Sequence, residues 1–302
     1  MSVSEIGKSL LLGLANRSGL VWRAAHFVAE NATSPEALRA NAYSYPGLRR
    51  QFIANGERSK YDVAVRRELV RRFERIDRSV KKASSASDGL FLAEAFLALD
   101  GEGDAVECGC FEGASTAKLS ILAALTGRRL FVFDSFEGLP ETDDREASDL
   151  HMRHGGTPRW WGGRYAGALE RVRANVEAHG EISVCSFVKG WFQDTLTAAN
   201  LPERVVLAFV DVDLPSSVTQ CVRALWPRIP TGGVLFSHDV AFVAVMQALQ
   251  DPELWRSVSE PAPPLLFGGG FGLCNESPHL GYFVKGAHAL PAEYLKGLTI
   301  HR

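Results

Sequence analysis

The sequence predicts an α/β fold, in which a mostly parallel sheet carries helices on both faces. From residue 105 onward, short apolar segments alternate with helical segments, which is the pattern of a parallel sheet. A glycine-containing turn joins the first apolar segment to the helix after it. Acidic or polar residues follow one apolar segment after another, at the edge where open α/β sheets bind their ligands.

Residues 1–84 form a predicted N-terminal helical region. Over residues 61–82, apolar side chains recur at spacings of three and four, which indicates a helix with its arginines in solvent. A polar break follows, in which Ser87 or Asp88 is expected to cap the next helix. We therefore predict a boundary between this region, which would contact substrate or a second subunit, and a domain over residues 85–302.

Five strands are predicted within that domain, separated by turn signals and helical segments. They are residues 105–108, 130–133, 184–189, 205–210 and 234–237. Near the C-terminus, a glycine-rich segment at residues 267–273 and a strand-like segment at residues 279–284 are expected to close the sheet as an antiparallel pair.

The turn at residues 106–113 is the first candidate binding site. Gly109 and Gly113 let the backbone approach a ligand without a Cβ atom in the way, and helix amides follow them. The spacing is G-x-x-x-G rather than the G-x-G-x-x-G of dinucleotide sites. Glu107 precedes it and suits the cationic sulfonium and amino-acid tail of S-adenosylmethionine (SAM), so the turn favours SAM over NAD. A purely structural turn is the alternative.

Asp134 follows the second strand, where α/β nucleotide sites place a carboxylate for the ribose. A carboxylate accepts hydrogen bonds from both ribose hydroxyls at once. The same residue is suited to cap the turn over residues 135–138, and the two roles are compatible.

A second group of ionisable residues follows the fourth and fifth strands: Asp211, Asp213, His238 and Asp239. If these strands are neighbours, the side chains converge on one point of the sheet edge. Carboxylates with one imidazole suit a divalent cation such as Mg²⁺ or Mn²⁺, and the histidine favours Mn²⁺ or a later metal. Two alternatives remain: His238 is a general base that the aspartates orient, or the residues only cap strand ends.

One long insertion, residues 143–167, leaves the carboxyl end of the second strand beside the predicted cofactor. It contains four glycines, two histidines (His151 and His154) and the adjacent Trp160 and Trp161. Because adjacent tryptophans among glycines are unusual for a plain surface loop, we interpret the insertion as a mobile lid over the substrate.

The composition argues against several partner classes. A net charge of −2 gives no basic balance for nucleic acid. The apolar run at residues 10–14 is too short to span a bilayer and is expected to belong to an amphipathic helix, so no membrane association is predicted. Five widely spaced cysteines indicate reduced thiols in a cytoplasm. Cys108 and Cys110 lack a second metal-like pair, so no zinc site is expected.

Five sequence segments occur in an order shared with one known enzyme family. They are residues 106–115, 133–140, 190–196, 210–214 and 232–239. The most specific are Asp-Ser-Phe-Glu-Gly-Leu-Pro in the second and Gly-Trp-Phe-Gln-Asp-Thr-Leu in the third. Over roughly residues 85–250 the chain resembles the macrocin O-methyltransferase (TylF/MycF-type) family of class I SAM-dependent methyltransferases. The resemblance implies a seven-stranded Rossmann-like sheet, SAM as methyl donor, a divalent metal, and a hydroxyl of a sugar or other natural product as acceptor.

The resemblance also implies roles for individual residues. Around the methionine part of SAM it places Glu107, Gly109, Gly113 and Ser115. Around the ribose and adenine it places Asp134, Ser135, Gly190 and Trp191. As metal ligands it implies Asp211 and Asp239. The family usually has two aspartates where this chain has His238-Asp239, so we expect His238 to join the ligand set.

We therefore expect a SAM-dependent O-methyltransferase that acts on a small molecule and forms a homo-oligomer. Methyl transfer is direct, so the protein must align the acceptor oxygen and help to remove its proton. His238, or His154 from the insertion, would take the proton, and Asp211 would act through the metal. Two alternatives are a SAM-binding protein without methyl transfer and an NAD-dependent oxidoreductase.

Overall fold

The computed structural model describes residues 45–141, 162–270, 272–274 and 277–286. Its first helices are α1 (Tyr45–Ala54), α2 (Val63–Ser79), α3 (Ala86–Ala98) and α4 (Ala114–Thr126). The later helices are α5 (Leu169–His179), α6 (Phe192–Thr195), α7 (Pro215–Leu225), α8 (Val243–Gln250) and α9 (Pro252–Arg256). The strands are β1 (Asp104–Cys108), β2 (Leu130–Asp134), β3 (Cys185–Lys189), β4 (Val205–Val210), β5 (Val234–Ser237) and β6 (Gly281–Val284).

The strands form one sheet in the order β3-β2-β1-β4-β5-β6. All pairs are parallel except β5 with β6, which is antiparallel. The five predicted strands are confirmed to within one residue, and the fourth and fifth are neighbours as the site prediction required. Among the described residues there are six strands, where the resemblance implied seven.

The sheet is covered on both faces, which explains why its central strand is continuously apolar. All six residues of β4 are buried, because alternate side chains enter different hydrophobic clusters. One cluster lies under helices α1 to α5. The other lies under α7, α8 and α9, where Trp226, Trp255 and Phe283 pack ring against ring. The predicted helices on both faces are thereby confirmed.

The N-terminal helices pack directly on the sheet domain. Residues of α1 and α2 belong to the same hydrophobic cluster as α3, α4 and β1. Between α2 and α3, the guanidinium of Arg66 lies 2.7 Å from the carboxylate of Glu94, and both side chains are 1% exposed. The boundary near residue 84 remains a prediction, as does the role of the region before it.

The prediction for the α3 cap was wrong. Ser85, not Ser87 or Asp88, is the N-cap, and its side chain accepts a hydrogen bond from the backbone of Asp88. In return the Asp88 carboxylate accepts from the backbone of Ser85, which makes a capping box. The helix therefore starts at Ala86. Asp88 lies in its first turn, and its carboxylate contacts His238 as well as the backbone of Ser85.

The insertion lies mostly outside the described residues, which resume at Gly162. Its last residues pair with the turn that precedes it, since Leu139 exchanges backbone hydrogen bonds of 2.8 and 2.9 Å with Arg164 and Gly163. His151, His154, Trp160 and Trp161 lie outside the described residues, so the lid interpretation stays a prediction.

At the other edge of the sheet, the expected antiparallel closure is present in part. β6 pairs with β5, and Phe267 bridges to Tyr282 of β6 through two backbone hydrogen bonds of 3.0 Å. Within the described ranges, no helix is both long and apolar enough to cross a membrane.

Candidate functional site

One large cleft opens at the carboxyl edge of the parallel strands. It encloses about 1050 Å³ of empty space, solvent at its open mouth included, which suits a small-molecule site. Ten residues predicted for the site line it: Gly109, Ser115, Asp134, Ser135, Gly190, Trp191, Asp211, Asp213, His238 and Asp239. The cofactor-side and metal-side predictions therefore fall on the walls of a single cavity.

The turn between β1 and α4 needs glycine at both predicted positions. Gly109 has φ of 82°, and a Cβ atom there would overlap the carbonyl oxygen of Asp211. Gly113 has φ of 85° and is the N-cap of α4. Ala114 and Ser115, the first residues of that helix, line the cleft. The turn thus brings the start of a helix to the cavity, where its free amides favour a negatively charged group.

Asp134 lies at the end of β2 and holds the turn together. Its two carboxylate oxygens accept backbone hydrogen bonds of 2.7 Å from Cys110 and Phe136. Burial raises the pKa of Asp134, and these backbone bonds offset part of that effect. The capping role predicted for Asp134 is therefore present. Each oxygen retains further acceptor capacity toward the cleft, which a ribose would need.

Two predicted cofactor residues, Gly113 and Glu107, are not among those that line the cleft. Gly113 is the N-cap of α4, whereas Glu107 lies in the sheet. Glu107 is fully buried within β1. Neither of its oxygens has a hydrogen bond of ordinary geometry among the described residues. Burial raises the pKa of Glu107 to about 8, although the nearby hydroxyls of Ser115 and Thr116 lower it in part. Glu107 is thus a buried acid directly beneath the start of α4.

The remaining cofactor-side residues follow β2 and β3. The hydroxyl of Ser135 donates to the carbonyl of Gly138 at 2.8 Å, so it shapes the turn after Asp134. The amide of Gly190 donates to the carbonyl of Asp134 at 3.0 Å. Trp191 follows as the N-cap residue of α6 and forms part of the cleft wall. These residues lie together, as predicted, and their roles toward a cofactor stay predictions.

Asp211, His238 and Asp239 form a compact cluster where β4 and β5 end. Each offers one nitrogen or oxygen atom, and these atoms lie within 4.8 Å of one another. The cluster is held by the sheet, since the amide of His238 donates to Val210 of β4 at 2.8 Å. One oxygen of Asp239, Oδ2, is buried without a hydrogen-bond partner among the described residues. This oxygen therefore has lone pairs that no described residue uses and that could bind a cation.

His238 contacts three carboxylates. Its Nδ1 lies 3.3 Å from Asp211 and 3.6 Å from Asp239, and its Nε2 lies 3.4 Å from Asp88. Burial disfavours the charged imidazole, but the carboxylates outweigh burial and raise the pKa of His238 well above its usual value. Burial would likewise raise the pKa of Asp88, yet the adjacent His238 ring brings it below its usual value. Asp88 is therefore an ionised partner of the ring.

Asp213 adds a further carboxyl group to this side of the cleft. Burial, reinforced by Asp239 and Asp211, raises the pKa of Asp213 well above its usual value. Asp213 and Asp239 have positive φ angles of 59° and 69°. Such backbone is uncommon outside glycine and concentrates at functional sites, with aspartate among the residues that tolerate it best.

Several wall residues were not predicted from the sequence. Phe242 and His279 pack against each other with ring centroids 5.0 Å apart and ring planes tilted by 30°. Both line the cleft with His238. Tyr165 packs edge-on against Phe111 on the cofactor side. Lys81 reaches the mouth from the loop after α2. No local motif marks these residues, because loops distant in sequence bring them to the cavity.

The architecture defines a class I methyltransferase fold: a sheet with an antiparallel edge strand, helices on both faces and a glycine turn after β1. A solved structure described as the O-methyltransferase NovP has this fold. It superimposes with a TM-score of 0.54 over 68% of this chain and 84% of that one, at 19% identity. Residues 92–264 match the family model described as Macrocin-O-methyltransferase (TylF), and this chain belongs to that family.

Two curated relatives carry similar sequences. One, from Streptomyces olivaceus, is named 8-demethyl-8-(2,3-dimethoxy-alpha-L-rhamnosyl)-tetracenomycin-C 4'-O-methyltransferase. It is 36% identical over 179 residues, which is 57% of this chain and 66% of the relative. The other, from Micromonospora griseorubida, is named Mycinamicin III 3''-O-methyltransferase and is 28% identical over 161 residues, 49% of this chain and 59% of the relative. The chain thus matches between about half and two thirds of each relative's length.

Proposed function

We propose that the protein is a SAM-dependent O-methyltransferase whose acceptor is a hydroxyl of a sugar or another natural product. The observation that carries the proposal is the shared cleft. A cofactor-type turn and a cluster of carboxylates with one imidazole face the same cavity, in a chain of the Macrocin-O-methyltransferase (TylF) family. Relatives named as O-methyltransferases of a rhamnosyl-tetracenomycin and of mycinamicin III support the acceptor class.

The residues on the cofactor side suit SAM. When bound, SAM supplies a methyl group already activated by the positively charged sulfur. The start of α4 offers free amides to a carboxylate, and Asp134 has acceptor capacity left for hydroxyl groups. Glu107 lies buried beside the same turn, close to the hydroxyls of Ser115 and Thr116. A cationic ligand above it would stabilise its ionised form.

The cluster on the acceptor side suits a divalent cation. Asp211, His238 and Asp239 provide two carboxylates and one imidazole, a set that accepts Mg²⁺ and favours Mn²⁺. The unpaired oxygen of Asp239 supports this fit. A bound cation would lower the pKa of the acceptor hydroxyl. Three protein ligands leave coordination positions for that hydroxyl.

The competing role for His238 is that of general base, with Asp211 and Asp239 as its orienting partners. In either case the cluster would help to deprotonate the acceptor, because a cation stabilises negative charge on its oxygen and a base takes its proton. Phe242 and His279 line this side of the cleft. His154, the other candidate base, lies outside the described residues.

The free state of all five cysteines supports the expected cytoplasmic setting. We also propose a homo-oligomer, which light scattering would test.

Ligand binding and chelation together test the proposal. S-Adenosylhomocysteine should raise the melting temperature and NAD⁺ should not, because only a ligand of the native state stabilises it. Methyl transfer from labelled SAM would be assayed on the acceptors that the two relatives are named for, a tetracenomycin rhamnoside and mycinamicin III. EDTA should abolish transfer to any accepted compound, and Mn²⁺ should restore it.

Each step has a contradicting result. Stabilisation by NAD⁺ instead of S-adenosylhomocysteine would favour the oxidoreductase alternative. Full turnover by an enzyme shown to be metal-free would end the proposal of metal assistance, and loss of activity in His238→Ala would then point to the general base. Tight SAM binding with no transfer to any of these acceptors would favour the non-catalytic SAM-binding alternative.

A further inference from the structure

The imidazole of His238 is held from both sides by groups on three different elements. On one side, Nδ1 faces Asp211 and Asp239, which follow β4 and β5. On the other side, Nε2 faces Oδ2 of Asp88 at 3.4 Å, within hydrogen-bond distance. The ring of His238 is therefore held between Asp88, at Nε2, and the two aspartates Asp211 and Asp239, at Nδ1.

Asp88 is itself fixed in position. It is 2% exposed and is the third residue of α3, 150 residues before His238. The same Oδ2 atom accepts a hydrogen bond of 2.6 Å from the amide of Ser85, and the amide of Asp88 donates to the hydroxyl of Ser85 at 3.1 Å. Because the capping box holds both its backbone and its carboxylate, Asp88 presents a fixed acceptor to the ring.

A fixed acceptor at Nε2 has a chemical consequence. The surrounding carboxylates favour a doubly protonated ring, so a cation that binds His238 must displace one ring proton. The neutral imidazole that remains carries a proton on one nitrogen and a lone pair on the other, and the hydrogen bond of one nitrogen decides which form is present. A ring that donates Nε2–H to a carboxylate has its lone pair on Nδ1. Nδ1 is the atom that lies beside Asp211 and Asp239. Carboxylate–histidine–metal arrangements of this kind recur in metal sites and increase the basicity of the ligating nitrogen.

We propose that Asp88 is a positioning residue that makes His238 present the Nδ1 lone pair to a divalent cation shared with Asp211 and Asp239. The inference rests on the metal site proposed above. It also explains how a histidine functions where the family usually has an aspartate. An aspartate needs no outer partner to expose a lone pair, whereas an imidazole must be held in the correct tautomer.

The test is the affinity of the full-length chain for Mn²⁺, measured by calorimetry at constant pH. In Asp88→Asn, the carboxylate that holds the Nε2 proton becomes a neutral amide. Its oxygen is a weaker acceptor for Nε2–H, and its NH₂ group would donate to Nε2 if the amide rotates. Mn²⁺ affinity should fall about 10- to 100-fold, the usual effect of losing such an outer partner. Ser85→Ala is the matched control, because it weakens the same capping box without removing the carboxylate. It should lower the melting temperature and retain Mn²⁺ affinity to within a few-fold.

A second background separates positioning from charge. In His238→Asp there is no imidazole to orient, so adding Asp88→Asn should not weaken Mn²⁺ binding. An equal loss in both backgrounds would show that Asp88 acts through charge or folding and would overturn the inference. Wild-type affinity in Asp88→Asn would overturn it as well.

A measurement on the unmodified chain covers the case in which the Asp88 variant does not fold. With ¹⁵N-labelled histidine and Zn²⁺ as diamagnetic probe, the nitrogen chemical shifts identify which ring atom of His238 binds the metal. Nδ1 is expected, and binding through Nε2 would overturn the inference. If neither Mn²⁺ nor Zn²⁺ binds the wild-type chain, both the metal site and this inference fail, while binding of S-adenosylhomocysteine would still support the cofactor assignment.

Discussion

The carboxylate of Asp134 stabilises the backbone around it, in addition to its proposed contact with a ribose. Its oxygens accept from the amides of Cys110 and Phe136, one residue from each of two adjacent loops. A substitution that removes the carboxylate therefore changes two things, the local turn and the charge offered to a bound ribose. An amide in its place keeps one acceptor and separates the two effects better than alanine does.

We expect Asp134→Asn to weaken SAM binding by about 1.5–3 kcal/mol, the usual contribution of a hydrogen bond to a charged group. Calorimetric titration with SAM measures the affinity, and the melting temperature of each protein reports damage to the turn. Glu137→Gln is the control, because Glu137 lies on the same loop but is 61% exposed and pairs with Lys189 at the surface. Equal affinities of Asp134→Asn and wild type would remove Asp134 from the cofactor site.

At the scale of elements, the N-terminal helices are joined to the sheet domain by a buried ion pair. Arg66 of α2 contacts Glu94 of α3, and it also donates to the carbonyl of Phe52 in α1 at 3.1 Å. Asn55 donates to the same Glu94 carboxylate at 3.1 Å. Burial raises the pKa of Glu94, and Arg66 offsets part of that effect. The packing of α1, α2 and α3 thus depends on the carboxylate of Glu94.

Glu94→Gln should destabilise the protein by roughly 3–5 kcal/mol, because it leaves the Arg66 charge buried without a counter-charge. Glu68→Gln is the matched control. Glu68 is in α2 too, but it is 52% exposed and pairs with Arg71 on the surface, so its loss should cost less than about 1 kcal/mol. Urea unfolding of both variants gives the comparison. Similar, small losses would mean that the helices dock mainly through their apolar faces.

At the scale of the whole molecule, Glu107 links global stability to pH. In the unfolded chain this carboxyl has an ordinary pKa near 4.5, whereas burial raises it to about 8 in the folded protein. Between these values the folded state holds a proton that the unfolded state has lost. The contribution of Glu107 to stability is therefore complete below pH 4.5 and is lost as the pH rises toward 8.

Replacing Glu107 with glutamine should remove this loss. The stability of Glu107→Gln relative to wild type should increase by up to about 1.4 kcal/mol per pH unit between pH 5 and 8 and level off above that range. Urea unfolding at pH 5, 6, 7 and 8 measures the difference. Because other acids titrate equally in both proteins, only Glu107 contributes to the divergence. Parallel stability curves would mean that Glu107 ionises normally in the folded state.

The sequence alone predicted the parallel sheet, its five strands and the edge that carries the site. These features follow from local rules: strand apolarity, the glycine turn at Gly109 and Gly113, and polar residues at strand ends. Once β4 and β5 are neighbours, Asp211 and His238 must converge, because parallel strands end at the same edge. It was therefore enough to know that each residue follows the end of its strand in order to predict this part of the candidate site.

The tertiary structure alone decided what surrounds those residues. The contact of His238 with Asp88 spans 150 positions, and it depends on how α3 crosses the sheet and on Ser85 taking the cap. The burial of Glu107 depends in the same way on the helix packed over β1. Local periodicity tells which side of an element a residue occupies, but proton positions and pKa values depend on ångström distances between elements. Those distances are set only when all the helices pack on the sheet together.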